Sequence, residues 1–290
     1  MDLGHDPLFT ANLFCNIFWL KAAAWMQMIP VRIGNWNWRS RSNRAISGGM
    51  LICRTNDVCR KDVILLNEIR LPAHRPVRDV LEGPRVRLEP VMRSRHLHDL
   101  FVTGHEGEAG KRVWDWLGYG PFVDEAAMGE WLDQCSTAAD PLFFAIVDRS
   151  DNRAKGMCSF LRIAPEQGTI EIGHIWFSPG LQKTASATEG LFLLMDEAMS
   201  VLGYRRLEWK CNAENHASRE AALRLGFTFE GIFRQHLVVK GRNRDTAWFS
   251  ILDNEWPVRR KALLSWLAPE NFDSDGRQKR SLERSQRSNA

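Results

Sequence analysis

The chain reads as a mixed α/β protein: one largely antiparallel sheet, a single parallel strand pair within it, and helices on its flanks. Three observations carry that reading. Residues 142–148, 155–163 and 169–177 form three strand-like runs, and turn segments at 149–153 and 165–168 separate them as in an antiparallel meander. A long helical pattern over 184–202 then leads into a short alternating strand; a helix crossing over between neighbouring strands makes them parallel. Last, two long strands at about 227–239 and 246–252 are expected to pair through a hairpin loop at 240–245.

The elements follow in order from Gly83. Val86, Leu88 and Val91 open the first strand, and 94–103 is helix-like. A second helix is predicted over 124–134, with Asp124 near its start and Met128, Trp131 and Leu132 on its buried face. In the crossover helix, Ala187, Leu191, Leu194, Met195, Ala198, Val201 and Leu202 recur at helical spacing, and Gly203 supplies the stop. Leu207, Trp209 and Cys211 alternate with Arg206, Glu208 and Lys210, the period of a strand. Asn215 starts another helix, which Gly226 ends, and a final helix is predicted over 256–267. No internal repeat is visible.

Composition limits what the chain does. Among 290 residues, 44% apolar and 26% charged are ordinary globular values. The net charge of +4 resides in the ends: residues 1–80 carry 11 Lys/Arg against 6 Asp/Glu, and 273–290 carry 5 against 3. Residues 81–272 carry 23 against 26, so the body offers no basic groove for a DNA backbone. The six cysteines form no CxxC pair, which argues against zinc or a disulfide framework and for reduced thiols in a cytoplasm. An apolar run at 13–29 is broken by Asn16, Lys21 and Gln27 and lacks a basic region before it, so no stable membrane association is expected. It reads as an amphipathic add-on helix or an upstream extension, with Met50 or a later residue as an alternative start. The expected organisation is an irregular extension over 1–80, a catalytic-type domain over 81–272, and a disordered basic tail over 273–290, where Arg277, Lys279 and Arg280 serve solubility rather than RNA contact.

The most informative segment runs from Phe177 to Glu189. A strand ends, Pro179-Gly180 turn the chain, and small residues open a helix. The first N–H groups of a helix lack internal partners, and with the helix dipole they form an anion site suited to a pyrophosphate. Lys183 adds a positive charge. Gln182-x-x-Ala185-x-Ala187 resembles the Gln/Arg-x-x-Gly-x-Gly/Ala loop with which GNAT acetyltransferases hold acetyl-CoA, with alanine at the first glycine position. Asn215-His216-Ala217-Ser218, residues 221–227 and Phe229-Glu230-Gly231 resemble the next motif of the ribosomal-protein (Rim-type) N-acetyltransferase branch. The ending at 241–251 and the opening strand at 82–89 do so as well, so the resemblance covers about residues 80–272.

That resemblance implies a GNAT-like fold whose parallel strands splay apart, acetyl-CoA as co-substrate, and acetyl transfer by direct attack of a primary amine, a protein N-terminal α-amine or a small amine, in a ternary complex. It implies cofactor contacts from Phe177, Gln182, Lys183, Thr184, Ala185, Ser186, Ala187, Thr188, Asn212 and Asn215. Ser218 matches the position proposed to protonate the departing sulfur; the alternative is a hydroxyl in a helix's first turn, where Ser is common. The region where some members carry a base reads Arg234-Gln235-His236-Leu237. Glu171, His174, His236 or a water remain as candidates, and on a regular strand Glu171 and His174 point to opposite faces. Trp114, Trp116, Tyr119 and Phe122 either line the acceptor site or pack ordinarily. The oligomeric state expected is monomer or homodimer. A noncatalytic acyl-CoA-binding module and a ribosome- or RNA-associated binding protein are the competing functions.

Overall fold

The computed structural model describes residues 70–282. The apolar run at 13–29 and most of the expected N-terminal extension lie outside the described residues. In chain order the elements are β1 (Leu81–Glu82), β2 (Val86–Pro90), α1 (Arg93–His105), α2 (Gly107–Lys111), α3 (Glu125–Thr137), β3 (Leu142–Asp148) and β4 (Arg153–Ala164). Then come β5 (Thr169–Phe177), α4 (Ala185–Asp196), β6 (Arg206–Asn212), α5 (His216–Leu225), β7 (Thr228–Val239), β8 (Arg242–Leu252) and α6 (Trp256–Leu267).

The strands form one sheet in the order β1-β2-β3-β4-β5-β6-β8-β7. Every pairing is antiparallel except β5 with β6, as the crossover helix requires. Each face carries its own core. On one side Ile170, Ile172, Leu207, Trp209 and Phe249 pack against Leu191, Leu194 and Met195 of α4, Leu225 of α5 and Leu263 of α6. On the other, Phe143, Ala145, Val147 and Met157 pack against Leu100 of α1 and Met128 and Leu132 of α3.

Local chemistry sets the ends of the helices. Asp124 caps α3 by accepting from the Ala127 N–H at 2.8 Å, and Asn215 caps α5 by accepting from Ser218 N–H at 3.1 Å. Gly226 ends α5 in the left-handed region at φ 99°, where a side chain would be strained. The crossover helix stops being α-helical at Asp196, and 197–201 continues as a π-turn, shortening the predicted helix.

Three expectations change. The hairpin loop predicted at 240–245 shrinks to Lys240 and Gly241, both at positive φ (49° and 73°), because a two-residue turn of this hand matches strand twist. The unit begins before residue 81: Ala73 N–H donates to the Pro165 carbonyl and His74 N–H to the Leu202 carbonyl. The tail expected to be disordered from 273 is placed through Leu282, which is fully buried; Phe272 bridges Gln278, and Trp266 Nε1 donates to Gln278 at 2.9 Å. A polar composition conceals this because polar groups carry much of the docking: Lys279 N–H donates to the Asn271 carbonyl at 2.7 Å and Arg280 N–H to Asn271 Oδ1 at 3.0 Å.

Glu189 on α4 is buried and fastens the helix to the sheet edge. Its carboxylate accepts from the backbone N–H groups of Arg85 (2.6 Å) and Val86 (3.0 Å) and pairs with the Arg85 guanidinium at 2.8 Å. Glu189→Ala leaves buried donors unpartnered and is expected to destabilise the domain by about 2–4 kcal/mol, measured by denaturant unfolding.

Candidate active site

β5 and β6 pair at only three positions, Thr169↔Arg206, Ile170↔Leu207 and Glu171↔Glu208, and no pairing continues beyond them. The divergence has a local cause. Ser159 pairs with Gly173 and Met157 with Trp176, so two steps on β4 face three on β5. The extra residue is a β-bulge, with His174 in the left-handed region at φ 51°. Ile170 and Ile172 face the α4/α5 core, and after the bulge Ile175 and Phe177 face it again, while Trp176 enters the α1/α3 core.

An open cleft of about 1450 Å³ occupies the splay. One wall is β5 through Ile175, Trp176 and Phe177; another is the loop and first turn of α4, through Gln182, Lys183, Thr184, Ala185, Ala187 and Thr188. Thr184 caps α4 by accepting from Ala187 N–H at 3.1 Å, and Gln182 Nε2 holds the preceding turn through the Phe177 carbonyl at 3.1 Å. The third wall comes from β6 and α5, with Trp209, Asn215 and Ser218. Trp266, Phe272, Arg277 and Gln278 close the outer end, a contribution that the reading of the tail as disordered missed.

Ser218 borders the cleft from the first turn of α5. Its oxygen accepts from Trp209 Nε1 at 3.0 Å, and the hydroxyl lies beside the Cys211 thiol, which burial pushes up and Ser218 draws back down. Of the predicted cofactor-contact residues, Ser186 and Asn212 do not border the cleft; Asn212 instead pairs with Thr246 and accepts from Glu214 N–H. The predicted acceptor-site aromatics also separate. Trp116 lines the cleft, whereas Trp114 is fully buried and donates to the Gly104 carbonyl at 2.6 Å. Tyr119 and Phe122 pack on Trp114 and Trp131 in the α1/α3 core. Ring burial decided this, because a spacing cannot distinguish a pocket wall from a core.

The candidate bases take unexpected positions. The bulge restores Glu171 and His174 to one face of β5, against the opposite-face expectation for a regular strand, and neither borders the cleft. Glu171 is buried and its carboxylate is shared between Arg162 and Lys210, each at 2.7 Å. His174 stacks on Tyr119 and packs on Phe143; burial, then Arg162 and Arg244, lower its pKa from 6.5 to about 4. His236 Nδ1 meets Thr246 Oγ1 at 3.0 Å. Among the described residues no group of three or more His, Cys, Asp or Glu side chains could hold a metal, and no helix is long and apolar enough to cross a membrane.

A helix N-terminus facing a sheet that opens between two parallel strands makes a site able to hold an anionic cofactor. The comparisons agree. Residues 85–228 match the model of the acetyltransferase (GNAT) domain. The chain is 30% identical over 139 residues to the uncharacterized N-acetyltransferase p20 of Bacillus licheniformis, covering 47% of this chain and 78% of that protein. It is 35% identical over 80 residues to a ribosomal-protein-serine acetyltransferase of Escherichia coli (strain K12), covering 28% of this chain and 44% of that protein. The crystal structure of a GCN5-related N-acetyltransferase from Brucella melitensis superposes with a TM-score of 0.73 at 48% identity, covering 75% of this chain and 98% of that one. This chain belongs to the GNAT acetyltransferase family, whose members use acetyl-CoA.

The His174 environment gives a pH prediction. Between pH 6.5 and about 4 the unfolded chain binds a proton on this histidine that the folded chain refuses. Stability therefore falls on acidification through that window, by up to ~3 kcal/mol from this group. His174→Phe, which keeps the ring stack, is expected to flatten that part of the stability-versus-pH curve measured by chemical denaturation.

Proposed function

We propose that this protein transfers the acetyl group of acetyl-CoA to a primary amine by direct attack within a ternary complex. The observation that carries the reading is the cleft at the splay, where a capped helix N-terminus and Ser218 face the same space. The residues fit the cofactor. The open N–H groups at the start of α4, with Lys183, suit a pyrophosphate, and the strand backbone left unpaired at the end of β5 suits the amides of a pantetheine arm. The bound cofactor supplies an activated thioester.

In this reading the acceptor enters as the neutral amine, its nitrogen bonds to the thioester carbonyl carbon, and the carbon–sulfur bond breaks. Ser218 gives its hydroxyl proton to the departing thiolate while Trp209 Nε1 holds its oxygen, and regains one from the water that takes the amine proton. The amine proton leaves to water, because Glu171 is held by two cations and His174 is a weak base. An α-amine, with a reference pKa of about 8 against about 10.4 for lysine, needs the least help. Similarity to a ribosomal-protein-serine acetyltransferase supports a protein as one acceptor class.

The test is acetyl-CoA turnover on a panel of N-terminal peptides and small amines, repeated with Ser218→Ala. The variant is expected to lower kcat by about 100-fold or more. Unchanged turnover removes Ser218 from this role. Tight acetyl-CoA binding without turnover on any acceptor would instead make the protein an acyl-CoA-binding module.

A further inference from the structure

The α1/α3 face of the sheet carries an alternating line of charges beside the gap. Arg162 pairs with Glu171, Glu171 with Lys210, Lys210 with Glu208, Glu208 with Arg206, and Arg206 with Glu230, at 2.6–2.7 Å throughout. Three cations meet three carboxylates, so the line is neutral as it stands. Lys210 also lies 3.9 Å from the centre of the Trp248 ring.

Arg244 stands outside that balance. On β8, Ala247, Phe249 and Ile251 belong to the α4/α5 core, so Arg244, Thr246 and Trp248 share the opposite face. Asn212 pairs with Thr246 and Ala213 N–H donates to the Asp245 carbonyl at 2.8 Å, which puts Arg244 just past the end of β6, on the face of the gap opposite the cofactor cleft, which it does not line. Its charge is felt by His174 on β5 and by Cys211 and Glu171. Yet its guanidinium has no ion pair among the described residues. The neighbouring Asp245 carboxylate is turned to the Gln235 N–H and Asn243, and Glu171 is already taken by Arg162 and Lys210.

Arg244 is half-buried, burial lowers its pKa, and its Nε is fully enclosed with no hydrogen-bond partner among the described residues. Trp248 Nε1, on the same face, is enclosed and unpartnered as well. Removing a cation and its N–H donors from water without partners is costly, so such donors are completed by water or by a ligand. Both unsatisfied groups are donors, which calls for a ligand rich in acceptor oxygens. The forked guanidinium matches a carboxylate or phosphate better than any neutral group.

We propose that Arg244 is the acceptor-specificity residue, and that the amine this protein acetylates carries an oxyanion, carboxylate or phosphate, which Arg244 binds on this face of the β5–β6 gap. This inference rests on the acetyl-transfer reading and narrows its acceptor. Polyamines fit poorly: the carboxylates of this face are already paired, and Arg244 repels a second ammonium.

Matched acceptor pairs test it: an amino acid against its amide, phosphoethanolamine against ethanolamine, and peptides with Asp or Glu in the second position against Asn or Gln. The anionic member of at least one pair is expected to have a tenfold or greater advantage in kcat/KM, and the pair that shows it names the oxyanion's source. Arg244→Gln should shrink that advantage tenfold or more through acceptor KM, and Arg244→Lys should restore part of it. Equal use of both members in every pair, or a preference that survives in Arg244→Gln, overturns the proposal while leaving acetyl transfer intact. If no acceptor of either charge is acetylated, the acetyl-transfer reading fails. Calorimetry of the same pairs with CoA present then still decides Arg244, by whether anionic members bind more tightly to the wild type than to Arg244→Gln.

Discussion

β5 and β6 lie side by side in the middle of an eight-stranded sheet, yet hold each other for only three residues before the bulge at Gly173 and His174 turns β5 away. A parallel pair normally continues until one strand ends, since each lost rung exposes backbone groups that need partners. Here the loss is local and is compensated on either side: β5 remains paired to β4 through Phe177, and β6 to β8 through Asn212. The sheet keeps its continuity while opening a wedge at its centre. The cleft, the placing of Ser218 and the isolation of Arg244 all follow from that wedge.

The two faces of the wedge differ in chemistry because they are covered differently. On the α4/α5 side, apolar side chains and the first turn of α4 surround the cleft, and Glu189 holds α4 against β2 so that its N-terminus stays aimed. On the other side, α1 and α3 cover β2 to β5 with an aromatic core that takes in Trp114, Trp131 and Trp176. Beyond that cover, charged side chains on β4, β5, β6 and β7 are neutralised in pairs. A buried pair such as Glu171 and Lys210 adds little net stability, but losing either member would strand the other's charge. The pairs therefore act as a constraint on the strand ends, and they leave Glu171 unavailable as a base.

Much of the fold was legible locally. The meander strands, the α5 caps at Asn215 and Gly226 and the span of α6 follow from alternation, capping chemistry and helical spacing, all of which act within a few residues. The loop from Gln182 to Thr188 was legible for the same reason, since helix-start chemistry is contiguous in sequence. The acceptor-side aromatics were not: Trp114 and Trp116 are two residues apart, and one is sealed in a core while the other meets the cleft. Nothing in their spacing distinguishes them. The docked segment after Phe272 was missed because its contacts, among them Gln278 to Trp266, Arg280 to Asn271 and the burial of Leu282, follow no periodic pattern.

By itself the sequence determined the order and type of the elements, the crossover that makes one strand pair parallel, and the family to which the chain belongs. These depend on short-range periods and on motifs read in register. The tertiary structure alone decided the register slip at Gly173 and His174, which reverses the face of every residue after it and brings Glu171 and His174 to one side. It alone decided which charges are partnered, because ion pairs between β4, β5, β6 and β7 join residues up to 39 positions apart. Arg244 is an unremarkable arginine in the sequence; only the packed sheet, with every neighbouring carboxylate already claimed, leaves its charge without a partner.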